Sequence, residues 1–260
     1  MDYRPSLLWT IIFIIFTIHT SSFSQIFFDE SARKAHILIL DFKAEEARTL
    51  LNAKNINHIY LYAVSDALEL ILSEDEKLMN AYESVYEKRL ERLSSIQPVT
   101  AESLFIEAEM RLYWTFIHLK FGNEFEAAWS LRQSYRVVQQ CRKSFPDFLP
   151  VLKTSAMLQV IIGSVPEKYN WVLNLMNMEG SATRGLEELA RFRTIPDKNF
   201  QYEGTILAAL IQAFIVQNTE KGMAELATLQ HESPYRLVLF LKACIALKSE
   251  KSEEALTLLN

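Results

Sequence analysis

Between Leu104 and Pro146 the chain spells out a helix, a turn and a second helix. Leu104, Phe105, Ala108, Leu112, Phe116 and Leu119 recur at three- and four-residue steps, the period that gathers apolar side chains on one helical face. Gly122-Asn123 follows, and a glycine can take the left-handed conformation that closes a helix. Helical spacing resumes from about Glu124 through Leu131, Tyr135, Val138 and Cys141, until Phe145-Pro146 stops it. Such a pair cannot bury its apolar stripes alone. It must pack against neighbours of the same kind, which makes a surface for binding but no built-in chemistry.

Weaker copies of this unit lie on both sides. Residues 26–40 carry apolar steps at Phe28, Ala32, Ala35, Ile39 and Leu40, broken at Asp41-Phe42-Lys43 before a short helix at Ala44, Ala47, Leu50 and Leu51. A helix over 59–72 follows. Ser73 with Glu74 and Glu76 predicts the cap of the next, which runs to about Ser94. Thr100, with Glu102 and Ser103, caps the helix of the clearest unit. Beyond Pro150 come an apolar helix over 151–162 stopped by Gly163, a helix capped by Ser164 with Pro166 in its first turn, and another from Ser181 to about Phe192. The apolar segment 200–216, an Asn218-Thr219 cap, a Ser233-Pro234 start and a final helix from Ser252 complete about eleven helices. Pro98, Pro146, Pro196 and Pro234 punctuate the chain at roughly 40–50-residue intervals. No run alternates as a strand. Only six Gly and seven Pro among 260 residues speak against turn-rich β architecture and long linkers.

The N-terminus reads differently. Arg4 and the amino terminus precede an apolar run over 7–18 of about a dozen residues, short of the roughly 20 that span a bilayer. Ser22 and Ser24 then supply the small residues of a secretory cleavage site, with the cut between Ser24 and Gln25. This predicts a signal peptide over 1–24 and a mature helical domain over 25–260. An uncleaved segment would make the protein a membrane-anchored adaptor instead. No Cys follows the apolar run, so a lipoprotein anchor is not predicted.

Composition narrows the function. A net charge of −5 argues against a nucleic-acid binder and against an electrostatic hold on anionic lipid. His36, His58, His118 and His231 never pair at a metal-binding spacing on one helix, and His118 ends an apolar stripe, as a packing residue does. Ser164 and Ser233 precede Val-Pro and Pro and read as caps, not nucleophiles; Glu74-Asp75-Glu76 and Glu187-Glu188 read as solvated helix starts and faces. No nucleophile elbow or phosphate-cradling glycine loop occurs. The expectation is no enzyme, no cofactor and no metal. Cys141 and Cys244, far apart on apolar helical stretches, are expected as buried thiols and not as a bridge.

The helical pairs resemble tetratricopeptide repeats, a family in which a small residue early in the second helix packs against the first after a turn carrying an aromatic. Phe125 with Ala128 carries the likeness, as do Ser252-Glu253-Glu254-Ala255 and, more loosely, Phe42-Lys43-Ala44 with Ala47; Pro146 sits like the repeat-ending proline. The units here are longer than the usual 34 residues, lack the Trp–Leu–Gly pattern, and place Gly185 where the small alanine belongs. Val165-Pro166, Gly180, Gly185-Leu186 and Leu189 are also similar to a segment of the divergent tetratricopeptide repeat protein thirty-nine family, associated with inclusion clearance and lipid droplets. The resemblance implies an all-α, right-handed solenoid of about five repeats whose concave face holds a segment of a protein or peptide partner.

Two sets of residues are candidates for that contact. Asn170, Asn174 and Asn177 align on one face of a helix, where amides are poor helix formers but can grip a peptide backbone. Arg132, Arg136 and Lys143 share a face that can meet carboxylates. Leu256, Leu258 and Leu259 lie in a last helix without a polar cap, so either the reading frame is shortened or another subunit, such as a second copy, covers that face. The protein is thus expected in the periplasm or outside the cell, touching membrane only if the N-terminal segment stays uncleaved.

Overall fold

A computed structural model describes residues 28–73, 75–165, 173, 177–229 and 235–260. The predicted signal segment with Ser24 and Gln25, and the amides Asn170 and Asn174, lie outside them. Among the described residues the protein is all-α: twelve α-helices and no strand. In chain order they are α1 (Glu30–Leu40), α2 (Ala44–Leu50), α3 (Ile56–Leu72), α4 (Glu76–Ser94), α5 (Ala101–Lys120), α6 (Glu124–Ser144), α7 (Val151–Gly163), α8 (Ala182–Phe192), α9 (Lys198–Leu210), α10 (Thr219–Ala227), α11 (Arg236–Lys248) and α12 (Ser252–Leu259). One π-helical turn, Ile211–Ile215, prolongs α9.

Five antiparallel pairs recur: α1 with α2, α5 with α6, α7 with α8, α9 with α10 and α11 with α12. Four of them share one turn. In each, a three-residue link carries a central residue with positive φ: Phe42 at 59°, Gly122 at 78°, Gln217 at 62° and Glu250 at 60°. The N–H after it reaches back to the preceding helix, as in Asn123 to the His118 carbonyl at 2.8 Å and Lys251 to the Ala246 carbonyl at 2.9 Å. That bond satisfies a terminal carbonyl the helix leaves orphaned. Only Gly122 meets the conformation without steric cost. Phe42, Gln217 and Glu250 hold it against their Cβ atoms, so the geometry is imposed by packing.

The second helix of every pair brings a small residue to its partner at the fourth helical position: Ala47, Ala127, Gly185, Gly222 and Ala255. The alanines there are at most 2% exposed. The two glycines sit closer still. A Cβ on Gly185 would lie 2.5 Å from Val160 Cγ2 and 2.7 Å from the Ala156 carbonyl oxygen; one on Gly222 would lie 2.8 Å from Ala213 Cβ. In α6 the packed residue is therefore Ala127, not Ala128 as the family pattern suggests. Ala128 is only half buried and Phe125 is exposed.

Three expected punctuation marks move. The cap of α4 is Asp75, whose carboxylate accepts from Lys77 N and Leu78 N, whereas Ser73 ends α3 by donating its N–H to the Glu69 carbonyl. Gly163 does not close α7 with a left-handed turn; it makes room for the backbone of Ser181 and Ala182, which a Cβ would meet at 2.8–2.9 Å. Ser164 turns its hydroxyl back to the Val160 carbonyl at 2.7 Å. The predicted Thr100 cap forms as a reciprocal box with Ser103.

Helix α5 runs through the centre. Leu104, Phe105, Ile106, Met110 and Leu112 on different faces are all buried, the sign of a helix surrounded by others. It packs on α3, α4, α6 and α7. The first pair also meets the last ones: Leu40 joins an apolar cluster with Ile206 and Val238, the rings of Phe42 and Phe240 meet edge to face at 6.1 Å, and Asp41 accepts from Arg236 N at 3.2 Å. Early and late helices thus share one body.

Candidate functional site

The chemistry of this fold is concentrated where α1, α3, α5, α7 and α9 converge. Lys153 on α7 is 6% exposed. Its ammonium lies 2.6 Å from Glu109 Oε2, 2.8 Å from Glu203 Oε2, 2.6 Å from the Tyr60 hydroxyl and 3.1 Å from the Tyr113 hydroxyl. Tyr113 donates to Glu109 Oε2 at 2.5 Å, Thr154 donates to Glu109 Oε1 at 2.6 Å, and Tyr60 donates to Glu203 Oε2. His36 Nε2 completes the set at 3.0 Å from Glu203 Oε1. Rings of Phe28, Phe105 and Phe200 wall the Tyr60 side.

Buried charge survives only when paired and hydrogen-bonded. Here two carboxylates face one ammonium, and His36 is the remaining group able to add positive charge. Burial alone would raise the Glu203 carboxyl; Lys153 and His36 overcome it and hold the group down at about 2. Burial opposes the Lys153 cation too, yet Glu109 and Glu203 keep it charged well above the ordinary lysine range. The Tyr60 and Tyr113 hydroxyls are pushed well up, by burial first and by the carboxylates next. Every hydroxyl stays a donor to a carboxylate. The cluster ties five helices together, with its ammonium and its hydroxyls all bonded to carboxylates.

A second, half-exposed network ties α2, α3 and α4. The Arg48 guanidinium bridges Asp66 at 2.9 Å and Glu69 at 2.6 Å, and Arg89 meets Asp66 from the other side at 2.5 Å. Arg48 lies over the Tyr82 ring and Arg89 over the Tyr62 ring. Bridging two carboxylates while stacking on a ring is what arginine does better than lysine.

The predicted contact residues separate. Asn177 is exposed and takes a left-handed conformation at φ 53°, and Met178 N after it donates to the Leu173 carbonyl at 3.0 Å. Arg132 and Arg136 share the outward stripe of α6 with two aromatics the sequence reading left out of the site. Phe125 is 78% exposed and Trp129 50%. Phe125, Trp129, Arg132 and Arg136 follow at steps of four, three and four, which stacks them on one face. The Arg132 guanidinium lies 6.0 Å over the Trp129 ring, and its Nε is shielded from solvent with no hydrogen-bond partner. Lys143 is exposed further along, while Arg142 is spent on Glu188 at 2.6 Å and Ser155 at 2.8 Å.

Both cysteines are free. Cys141 is buried, as expected, but Cys244 is only half buried. His118 packs beside Trp114 at 5.3 Å between ring centres. Among the described residues no group of three or more His, Cys, Asp or Glu could hold a metal ion, and no helix is long and apolar enough to cross a membrane. No family model, curated protein or solved structure matches this chain.

Proposed function

We propose that this protein is an exported, non-catalytic scaffold of tetratricopeptide-like repeats that binds a protein partner along the outer face of α6. The observation that carries the reading is the stripe of exposed Phe125, Trp129 and Arg136 with half-buried Arg132 among them. Tryptophan and arginine are the residues that concentrate binding energy in protein interfaces, and a large apolar ring left at the surface of a polar helix face marks such a place. The orphaned Nε of Arg132 asks for an acceptor, and the basic end of the stripe at Arg136 and Lys143 favours carboxylates. The partner is thus a protein segment that sets an apolar side chain beside Asp or Glu. The recurrent three-residue turns and the small residue at the fourth position of each second helix support a repeat architecture. The space where α3, α5, α7 and α9 converge is filled by the chain's own Tyr60, Glu109, Lys153 and Glu203. This favours the outer face over the concave one for the partner.

The test is cross-linking in cells followed by identification of the partner, repeated with Trp129→Ala and Arg132→Glu. Either substitution is expected to reduce recovery at least tenfold with an unchanged helical spectrum. A partner recovered equally by both variants would remove the site. The N-terminus of the same material checks export: Gln25 as first residue agrees with a cleaved signal, and a retained Met1 favours the anchored adaptor.

A further inference from the structure

Besides the α6 stripe, the body carries a cleft of about 860 Å³ between α1 and α9. Arg33 and Lys198 stand on its walls, Leu40 and Tyr202 give it an apolar side, and His36 forms part of its lining while bonded behind to Glu203. One acid, Asp197, shares the cleft. Asp197 receives Asn199 N at 2.8 Å and faces the Arg33 guanidinium at 3.9 Å, and the Thr205 hydroxyl is bonded to the Gln201 carbonyl. Donors line it as well. Chief among them is Asn199, whose Nδ2 is shielded from water and has no hydrogen-bond partner. A shielded donor left so is destabilising, which is hard to understand unless something else uses it. Asn199 is itself one of the lining residues of the cleft.

We propose that this cleft binds the free carboxylate of an amphiphilic ligand, with Asn199 and Lys198 on the carboxylate, Arg33 lending charge, and the apolar body against Leu40 and Tyr202. The chemistry is shared by two sources, a peptide C-terminus with an apolar last residue and a small apolar acid. The site is independent of the α6 stripe and stands whether or not the partner reading does.

Isothermal titration of the full chain separates the cases, with acetyl-Ser-Ala-Phe-Leu, its C-terminal amide, and octanoate as probes. The expected result is binding of the free-acid peptide and at least tenfold weaker binding of the amide. Octanoate binding without the peptide keeps the carboxylate site and assigns it to small acids. Asn199→Ala and Lys198→Glu should each weaken the binding probe about tenfold. Because Asn199→Ala removes an unsatisfied buried donor, its Tm should stay level or rise. Equal binding of acid and amide, no saturation by either carboxylate at millimolar concentration, unchanged affinity in Asn199→Ala, or a lowered Tm in that variant would each overturn the proposal.

Discussion

Replacing Lys153 by methionine tests whether the buried cluster is the keystone its geometry implies. Methionine fills a similar volume, so the perturbation is the loss of an ammonium bonded at 2.6 Å and 2.8 Å to two buried carboxylates. Left alone, Glu109 and Glu203 cannot both stay ionised within a nearly sealed core. The least costly escape is for one to take up a proton. At pH 7 that costs about 4 kcal/mol for a carboxyl with an ordinary value near 4.3, and at pH 5 about 1 kcal/mol. The first figure lies within the roughly 3–5 kcal/mol typical of breaking a buried ion pair. Urea unfolding followed by circular dichroism at the two pH values should therefore show a large loss at pH 7 that mostly disappears at pH 5. In thermal melts the pH 7 loss corresponds to roughly 10 °C. Adding Glu203→Gln to Lys153→Met should restore part of the stability at pH 7. A single variant within about 1 kcal/mol of the parent at pH 7, or one equally destabilised at both pH values, would refute the argument.

Three further outcomes are expected. In the parent, Glu203 is held at about 2, below its unfolded value, so its contribution is complete above the unfolded carboxyl range and disappears as pH falls from about 4.5 toward 2. An acid titration of stability should show that limb, and Glu203→Gln should flatten it. Gly185→Ala forces a Cβ against the Ala156 carbonyl and Val160, and should cost about 1–3 kcal/mol by urea denaturation, with helical content retained. Glu250→Gly relieves a strained left-handed residue at φ 60° and should be neutral or stabilising by up to about 1 kcal/mol, whereas Glu250→Val should destabilise.

The sequence carried the helices because their signals are local. Apolar spacing over 104–119, the Thr100 cap and the turn glycine at 122 act within a few residues of each other. Turns at Phe42, Gln217 and Glu250 were legible as breaks, yet their common left-handed form was not, since none of these residues prefers it; tertiary packing imposes it. The charged cluster was the larger omission. Lys153, Glu109 and Glu203 sit one per helix among apolar neighbours, and no short-range pattern joins them. The available signal was that each places a charge where helical spacing wants an apolar residue, as Lys153 does in Val151-Leu152-Lys153-Thr154-Ser155-Ala156. On α6, charge periodicity points to Arg132 and Arg136, whereas nothing in the spacing marks Phe125 and Trp129 as exposed, because a helical aromatic is usually buried.

The union of early and late helices sets a timetable for synthesis. His36 and Tyr60 find Glu203 across sequence separations of 167 and 143 residues, while a ribosome adds about 5–20 residues each second. For several seconds the first hairpin exists without the acid that completes its histidine and without Phe200 to cover Phe28. Contacts so distant in sequence come late and slow folding. The nascent N-terminal hairpin is therefore the segment that chaperones should occupy longest, and release should follow emergence of α9.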